Sequence, residues 1–231
     1  MIILIRTVDK KTERYLFDTH SESLVPFEVT VRDDDITVEV FKRVKRVGKE
    51  FYKLFKNNPF SVEAIDFIHS SLKDRVEEWG YFTDDIMEGH IVTYIAKSWQ
   101  ESIILDSTVA IYSADGYENL TGYELEPLDP NENEVYFVTV IDGNIVSVCE
   151  TNSSDAFIGA KEINVYTSPE YRGRGYGASN VSAMIKHYLT MGERVAYTSR
   201  KDNIPSCKTA EKCGLERIAE TFYYICYAKE E

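Results

Sequence analysis

The chain has 231 residues, 43% of them hydrophobic, and its 39 acidic against 26 basic side chains give a formal net charge of −13. That is enough apolar material for one large core or two modest ones, which excludes a disordered chain, and a surface of that sign repels nucleic acid phosphates while attracting cationic small molecules. The four cysteines (Cys149, Cys207, Cys213, Cys226) lack Cys-x-x-Cys spacing and the four histidines lack His-Glu-x-x-His pairing, so neither a disulfide framework nor a metal site is predicted.

The apolar run from Met1 to Ile5 is too short for the central region of a signal peptide, and no stretch has the length of a membrane span. The cytoplasm is the expected compartment, with no membrane partner. Phe27-Glu28-Val29-Thr30-Val31 alternates as a strand does. Asp33 to Asp35 offer N-caps for a long helix with the apolar stripe Ile36, Val40, Val44, Val47, Phe51, Leu54 and Phe55. Its basic residues Lys42, Arg43, Lys45, Arg46 and Lys49 read as a solvated face, and Asn57-Asn58-Pro59 breaks it. Ser61 caps a second helix (Ile65, Ile68, Leu72, Val76, Trp79) that Gly80 ends, and Thr83 caps a third carrying Met87, Ile91, Tyr94 and Ile95.

From Ser102 the pattern turns to period two. Ile103 to Tyr112 reads as a strand, and Glu134–Ile141 with Asn144–Glu150 as a hairpin about Asp142-Gly143. An acidic loop from Glu124 to Glu134 lies between them. Ala160 to Thr167 reads as a buried strand, Ile163, Val165 and Thr167 alternating with Glu162, Asn164 and Tyr166. A helix follows with Val181, Met184, Ile185, Tyr188 and Leu189 at helical spacing, stopped by Gly192. The strand Arg194–Ser199 leads to a short helix with Asn203 as N-cap, Pro205 in its first turn and Gly214 at C′. The predicted class is α/β with a mixed sheet.

The turn between the buried strand and the long helix carries the chemistry. In Arg172-Gly173-Arg174-Gly175-Tyr176-Gly177-Ala178 the glycines allow left-handed backbone and close approach, so several N–H groups can converge on one anion at the positive end of a helix. No Lys-Ser or Lys-Thr pair follows, so the Walker pattern fails, and the Rossmann glycines would stand in another register.

This segment resembles the Arg/Gln-x-x-Gly-x-Gly/Ala motif of the GNAT superfamily of acyl-CoA-dependent N-acyltransferases. A second block strengthens the likeness: Asn203-Ile204-Pro205-Ser206, then Ala210-Glu211-Lys212-Cys213-Gly214-Leu215, similar to that family's Asn-x-x-Ala/Ser and Glu-Lys-x-Gly-Phe stretches at about the same distance. The likeness covers roughly residues 134–231. It implies an acetyltransferase core over residues 101–231 and, over 1–100, a mostly helical N-terminal extension that takes in the family's first helices. Residues 1–57 are left as a substrate lid, a half-domain or a dimer arm.

The resemblance further implies acetyl-CoA as co-substrate, with no metal. Its pyrophosphate would sit on the N–H groups of Gly173 through Ala178, Arg172 and Arg174 adding charge. Its pantetheine amides would pair with Val165 and Thr167, and Asn203 and Ser206 would contact pantetheine or phosphates. An aliphatic amine is protonated at pH 7, so a base must take its proton; Glu162 is the first choice and Glu150 the second. The tyrosine that many members use to protonate the departing thiolate is replaced by Ala210, which leaves Tyr223 or Tyr224, Tyr166 or a water. The expected activity is acetylation of a primary amine on a small, cationic acceptor by direct attack, without nucleic acid and with room for a homodimer. A non-catalytic acyl-CoA sensor is the alternative.

Overall fold

A computed structural model describes residues 3–8, 23–83, 89–112, 120–125, 135–152 and 159–229. Their strands are β1 (Ile3–Thr7), β2 (Ser23–Arg32), β3 (Asp35–Val40), β4 (Tyr81–Phe82), β5 (His90–Ile95), β6 (Thr108–Ile111), β7 (Tyr136–Ile141), β8 (Asn144–Asn152), β9 (Lys161–Thr167), β10 (Val195–Arg200) and β11 (Glu216–Ala228). Their α-helices are α1 (Lys45–Phe55), α2 (Val62–Glu78), α3 (Tyr176–Thr190) and α4 (Ile204–Lys212). The chain divides into two compact units, one of Met1–Val92, Arg200–Asp202 and Ile218–Glu231, the other of Thr93–Ser199 and Asn203–Arg217.

In the first unit the strand order is β1-β3-β2-β11, with β4 also on β11. β1 runs parallel to β3 and the other pairs are antiparallel. The long helix expected from Ile36 is instead a hairpin strand followed by a shorter helix. Asp33 and Asp34 take φ of 48° and 66°, the left-handed pair that a tight hairpin turn requires. Ile36, Val38 and Val40 then alternate inward along β3. Ile36 and Val40 satisfy both periods; Val38, in a β-branched run, decides for the strand. Helix starts only at Lys45, where Val47 and Phe51 turn into the core and Phe27 meets Phe51 edge-on, ring centroids 5.2 Å apart. Ser61 caps α2 as expected, its Oγ accepting from Ala64 N–H at 3.2 Å.

The third expected helix is also a strand. β5 replaces it, because the β-branched and aromatic cluster Ile91-Val92-Thr93-Tyr94 outweighs the helical spacing of Ile91, Tyr94 and Ile95. Met87 lies outside the described residues.

In the second unit the order is β10-β9-β8-β7-β6, with β9 and β10 parallel and the other pairs antiparallel. Asp142 and Gly143, at φ of 50° and 77°, turn the β7–β8 hairpin where the sequence places it. The expected strand from Ile103 shortens to β6, preceded by a 3-10 turn at Glu101–Ile103. Leu105-Asp106-Ser107 breaks the alternation, and Leu105 N–H donates to Ser179 Oγ at 2.8 Å instead of to a neighbouring strand. Helix α3 buries Val181, Met184, Ile185 and Tyr188, while Ile111, Tyr136, Val138, Ile145 and Val148 form a separate cluster. The acidic loop lies outside the described residues from Glu126 onward. No helix among the described residues is long and apolar enough to cross a membrane.

Candidate active site

Strand β9 runs out at Thr167 into a 3-10 turn, Pro169–Tyr171, and then into the glycine-rich segment. Gly173 and Gly175 hold φ of 76° and 90°, where a side chain would strain the backbone. Gly175 is the N-cap of α3 and has no side chain to cap it, and its C=O accepts from Ser179 N–H at 2.9 Å. Helix geometry therefore leaves the N–H groups of Tyr176, Gly177 and Ala178 without intrahelical acceptors. The arginines of the turn also shape it: Arg172 Nε donates to Thr167 O at 3.0 Å, and Arg174 donates to Glu170 O at 3.2 Å while lying over the Tyr171 ring at 5.2 Å.

Beside this turn, β9 parts from β10. Their register runs from Val195↔Lys161 to Tyr197↔Ile163 and goes no further. Lys161 N–H donates to Arg194 O at 2.8 Å on the β10 side, whereas Ser168 N–H donates to Val146 O at 2.9 Å on the β8 side. Backbone groups alternate sides along a strand, so the N–H and C=O of Val165 and Thr167 face the gap left by β10. This is a strand edge of two residues, suited to an amide-bearing chain.

Edge and turn open into one cavity of about 470 Å³. Val165 and Thr167 line it, with Arg172, Gly173, Gly175, Tyr176, Gly177 and Ala178 from the turn and Asn203 and Ser206 from the start of α4. Of the residues expected to bind the cofactor, Arg174 alone is absent from the lining. Asn203 Oδ1 accepts from Ser206 N–H at 3.3 Å, so the residue caps α4 as well as lining the cavity.

Six residues of the lining lie outside that expected set: Tyr166, Tyr171, Tyr197, Pro205, Thr209 and Lys212. Lys212 Nζ would lie 3.9 Å from a Cβ on Gly175, which puts a further positive charge beside the turn. Thr209, one α4 turn from Pro205, also lines the cavity. Tyr197, 2% exposed, has its hydroxyl 2.8 Å from Ser206 Oγ, and burial chiefly pushes its phenol up to about 12. The Glu-Lys pair of the second block was the available signal for Lys212. For Tyr197 the only signal was its place on the strand after Gly192.

The carboxylates lie on the other face of the sheet. Glu162 is buried and accepts a hydrogen bond at Oε1 from the Thr198 hydroxyl. Glu150 stands opposite Asn164, so it shares the face of Glu162, Asn164 and Tyr166. The Tyr123 phenol is pushed up by burial and then by the Glu150 charge, and its ring stacks near Tyr166 at 5.4 Å. Tyr223 and Tyr224 belong to the first unit. Tyr224 is 1% exposed in that unit's core, with its hydroxyl 3.3 Å from His69 Nδ1, and Tyr223 N–H donates to Gly89 O at 2.9 Å. Neither tyrosine is in the lining of the cavity. Ala210 is fully buried in α4.

Residues 103–215 match the model of the Acetyltransferase (GNAT) family. They form a GNAT acetyltransferase domain. A putative GNAT acetyltransferase from Novosphingobium aromaticivorans is 21% identical over 65% of this chain and 69% of its own, with a TM-score of 0.48. A GCN5-related N-acetyltransferase-like protein from Streptococcus suis is 19% identical over 71% of this chain and 68% of its own, at 0.43. A GCN5-related N-acetyltransferase from Sphaerobacter thermophilus is 11% identical over 92% and 85%, at 0.44. No curated protein shows significant similarity to the chain. The GNAT match begins at the 3-10 turn before β6 and ends just after α4, and so contains every residue that lines the cavity.

Proposed function

We propose that the GNAT domain transfers an acetyl group from acetyl-CoA to a primary amine of a small, cationic acceptor by direct attack. One observation carries this reading: the open edge of Val165 and Thr167 and the N–H-rich turn at the start of α3 share a single cavity. A pantetheine arm needs amide partners along an edge, and a pyrophosphate needs converging N–H groups and positive charge. Arg172 and Lys212 supply the charge from two sides.

Acyl transfer needs the amine neutral, and Glu162 is the group proposed to take its proton, directly or through water, with Glu150 second. Both carboxylates share a face with the Tyr123–Tyr166 ring pair, surroundings that favour a cation by charge and by ring contact. Isothermal calorimetry with acetyl-CoA and thiol-release kinetics against a panel of polyamines and aminoglycoside-like amines test the reading. Micromolar binding with amine-dependent thiol release supports it; binding without turnover on any amine leaves an acyl-CoA sensor.

A further inference from the structure

We infer that Tyr197 is the group that meets the departing thiolate, with Ser206 as its proton relay, in place of the tyrosine that Ala210 lacks. The inference rests on the acetyl-CoA reading above. Tyr197 occupies the last paired position of β10, opposite Ile163, two residues before the open backbone of Val165 on β9. It is therefore at the root of the gap between the strands, the opposite end of the cavity from the phosphate-binding turn. An arm that begins on the turn and follows the edge of Thr167 and Val165 arrives there with its reactive end.

Other phenols of the lining are placed differently. Tyr171 and Tyr176 belong to the turn, with Tyr171 held under Arg174, and Tyr166 projects from the opposite face of β9 toward Tyr123. Tyr197 shares the Ile163 face, on which the cavity lies. The Tyr94 ring meets Tyr197 edge-on at 6.4 Å and fixes its orientation. Ser206, half-buried at the first turn of α4, joins the Tyr197 hydroxyl to the more open part of the cavity.

The step balances as follows. The neutral amine nitrogen forms the C–N bond to the thioester carbonyl carbon, and the C–S bond breaks with its electron pair on sulfur. The Tyr197 O–H gives its proton to that sulfur and recovers one through the Ser206 hydroxyl from solvent, while the amine's surplus proton leaves to the base. Tyr197 stays neutral at working pH because burial opposes the phenolate, so it holds a donor ready at every turnover.

The experiment is Tyr197→Phe and Ser206→Ala on the full chain, with acetyl-CoA affinity by calorimetry and kcat and amine KM by thiol release. Tyr197→Phe is expected to lower kcat about 10²-fold, the usual cost of one lost transition-state donor, with acetyl-CoA Kd and amine KM within a factor of two to three of the parent's. Ser206→Ala is expected to lower kcat less. Replacing Tyr197 with 3-fluorotyrosine, a more acidic phenol, is expected to move the alkaline limb of the kcat profile to lower pH, which a purely structural role would not do. Unchanged kcat in Tyr197→Phe overturns the inference, and so does a variant that loses acetyl-CoA binding in step with kcat. A parent that fails to bind acetyl-CoA overturns the functional reading itself.

Discussion

A Cβ on Gly177 would lie 3.1 Å from the Thr167 hydroxyl oxygen, so the first turn of α3 rides directly on the end of β9. Thr167 cannot easily yield, since its hydroxyl is hydrogen-bonded to Ser147 Oγ at 2.8 Å on β8. The closeness sets the distance between the converging N–H groups and the open backbone edge. Gly177→Ala is expected to push the turn away from the strand and weaken acetyl-CoA binding about tenfold, the effect of a mild overpacking of about 1.4 kcal/mol. Gly175→Val, forced toward a left-handed φ of 90°, is expected to abolish it. Calorimetry on folded variants decides, and parental affinity in both would move the phosphate site elsewhere.

Glu162→Gln isolates the proposed base. Glutamine keeps an acceptor for the Thr198 hydroxyl, so the buried hydrogen bond survives while the charge is lost. The kcat is expected to fall about 10²–10⁴-fold with acetyl-CoA affinity retained, and the acidic limb of the pH profile to vanish. A parental profile would move the role to Glu150 or to solvent.

Cys207 is half-buried and hydrogen-bonded to the Tyr94 phenol, whose ionisation is pushed upward first by burial and then by that contact. The second block carries no histidine beside it, and direct attack needs no acyl-cysteine. Cys207→Ala is expected to keep kcat within a few-fold, and chelator to leave it unchanged. Mass-spectrometric capture of an acetylated Cys207 during turnover would replace direct attack with a two-step route.

How much of this was legible in the sequence depended on whether local chemistry had one solution or two. Gly173, Gly175 and Gly177 allow one, and so do Asp142-Gly143 between alternating runs and Asn203 before Ile204-Pro205; turn, hairpin and cap all stand where these residues put them. Ile36 with Val40 fits a helix and a strand equally by spacing, whereas Ile91 with Tyr94 and Ile95 has the spacing of a helix. There, strand pairing with β2 in one case and β-branched crowding in the other settled the matter. The cavity's strand edge was readable as a family expectation on Val165 and Thr167, but that Tyr197 joins it depends on where β10 stops pairing, which no local pattern encodes.

Glu28 offers a test of the first unit by pH. Its carboxyl, on β2 opposite Glu39, has its pKa raised chiefly by burial and further by the Glu39 charge, against the lowering effects of the Thr30 hydroxyl and Arg6. A carboxyl whose folded-state pKa exceeds its unfolded value prefers to fold protonated. Its stabilising contribution is therefore complete below the unfolded pKa, about 4.3, and is lost as pH rises through the folded value. At neutral pH the charged Glu28 thus opposes folding. Glu28→Gln presents a neutral side chain of the same shape that still accepts from Thr30, whose hydroxyl donates to Glu28 Oε1 at 2.9 Å. The variant is expected to melt at a higher temperature than the parent at pH 7, with the difference closing as pH is lowered through the carboxylate range. A difference that is constant with pH, or of opposite sign at pH 7, would mean that the Thr30 and Arg6 contacts outweigh burial at this position.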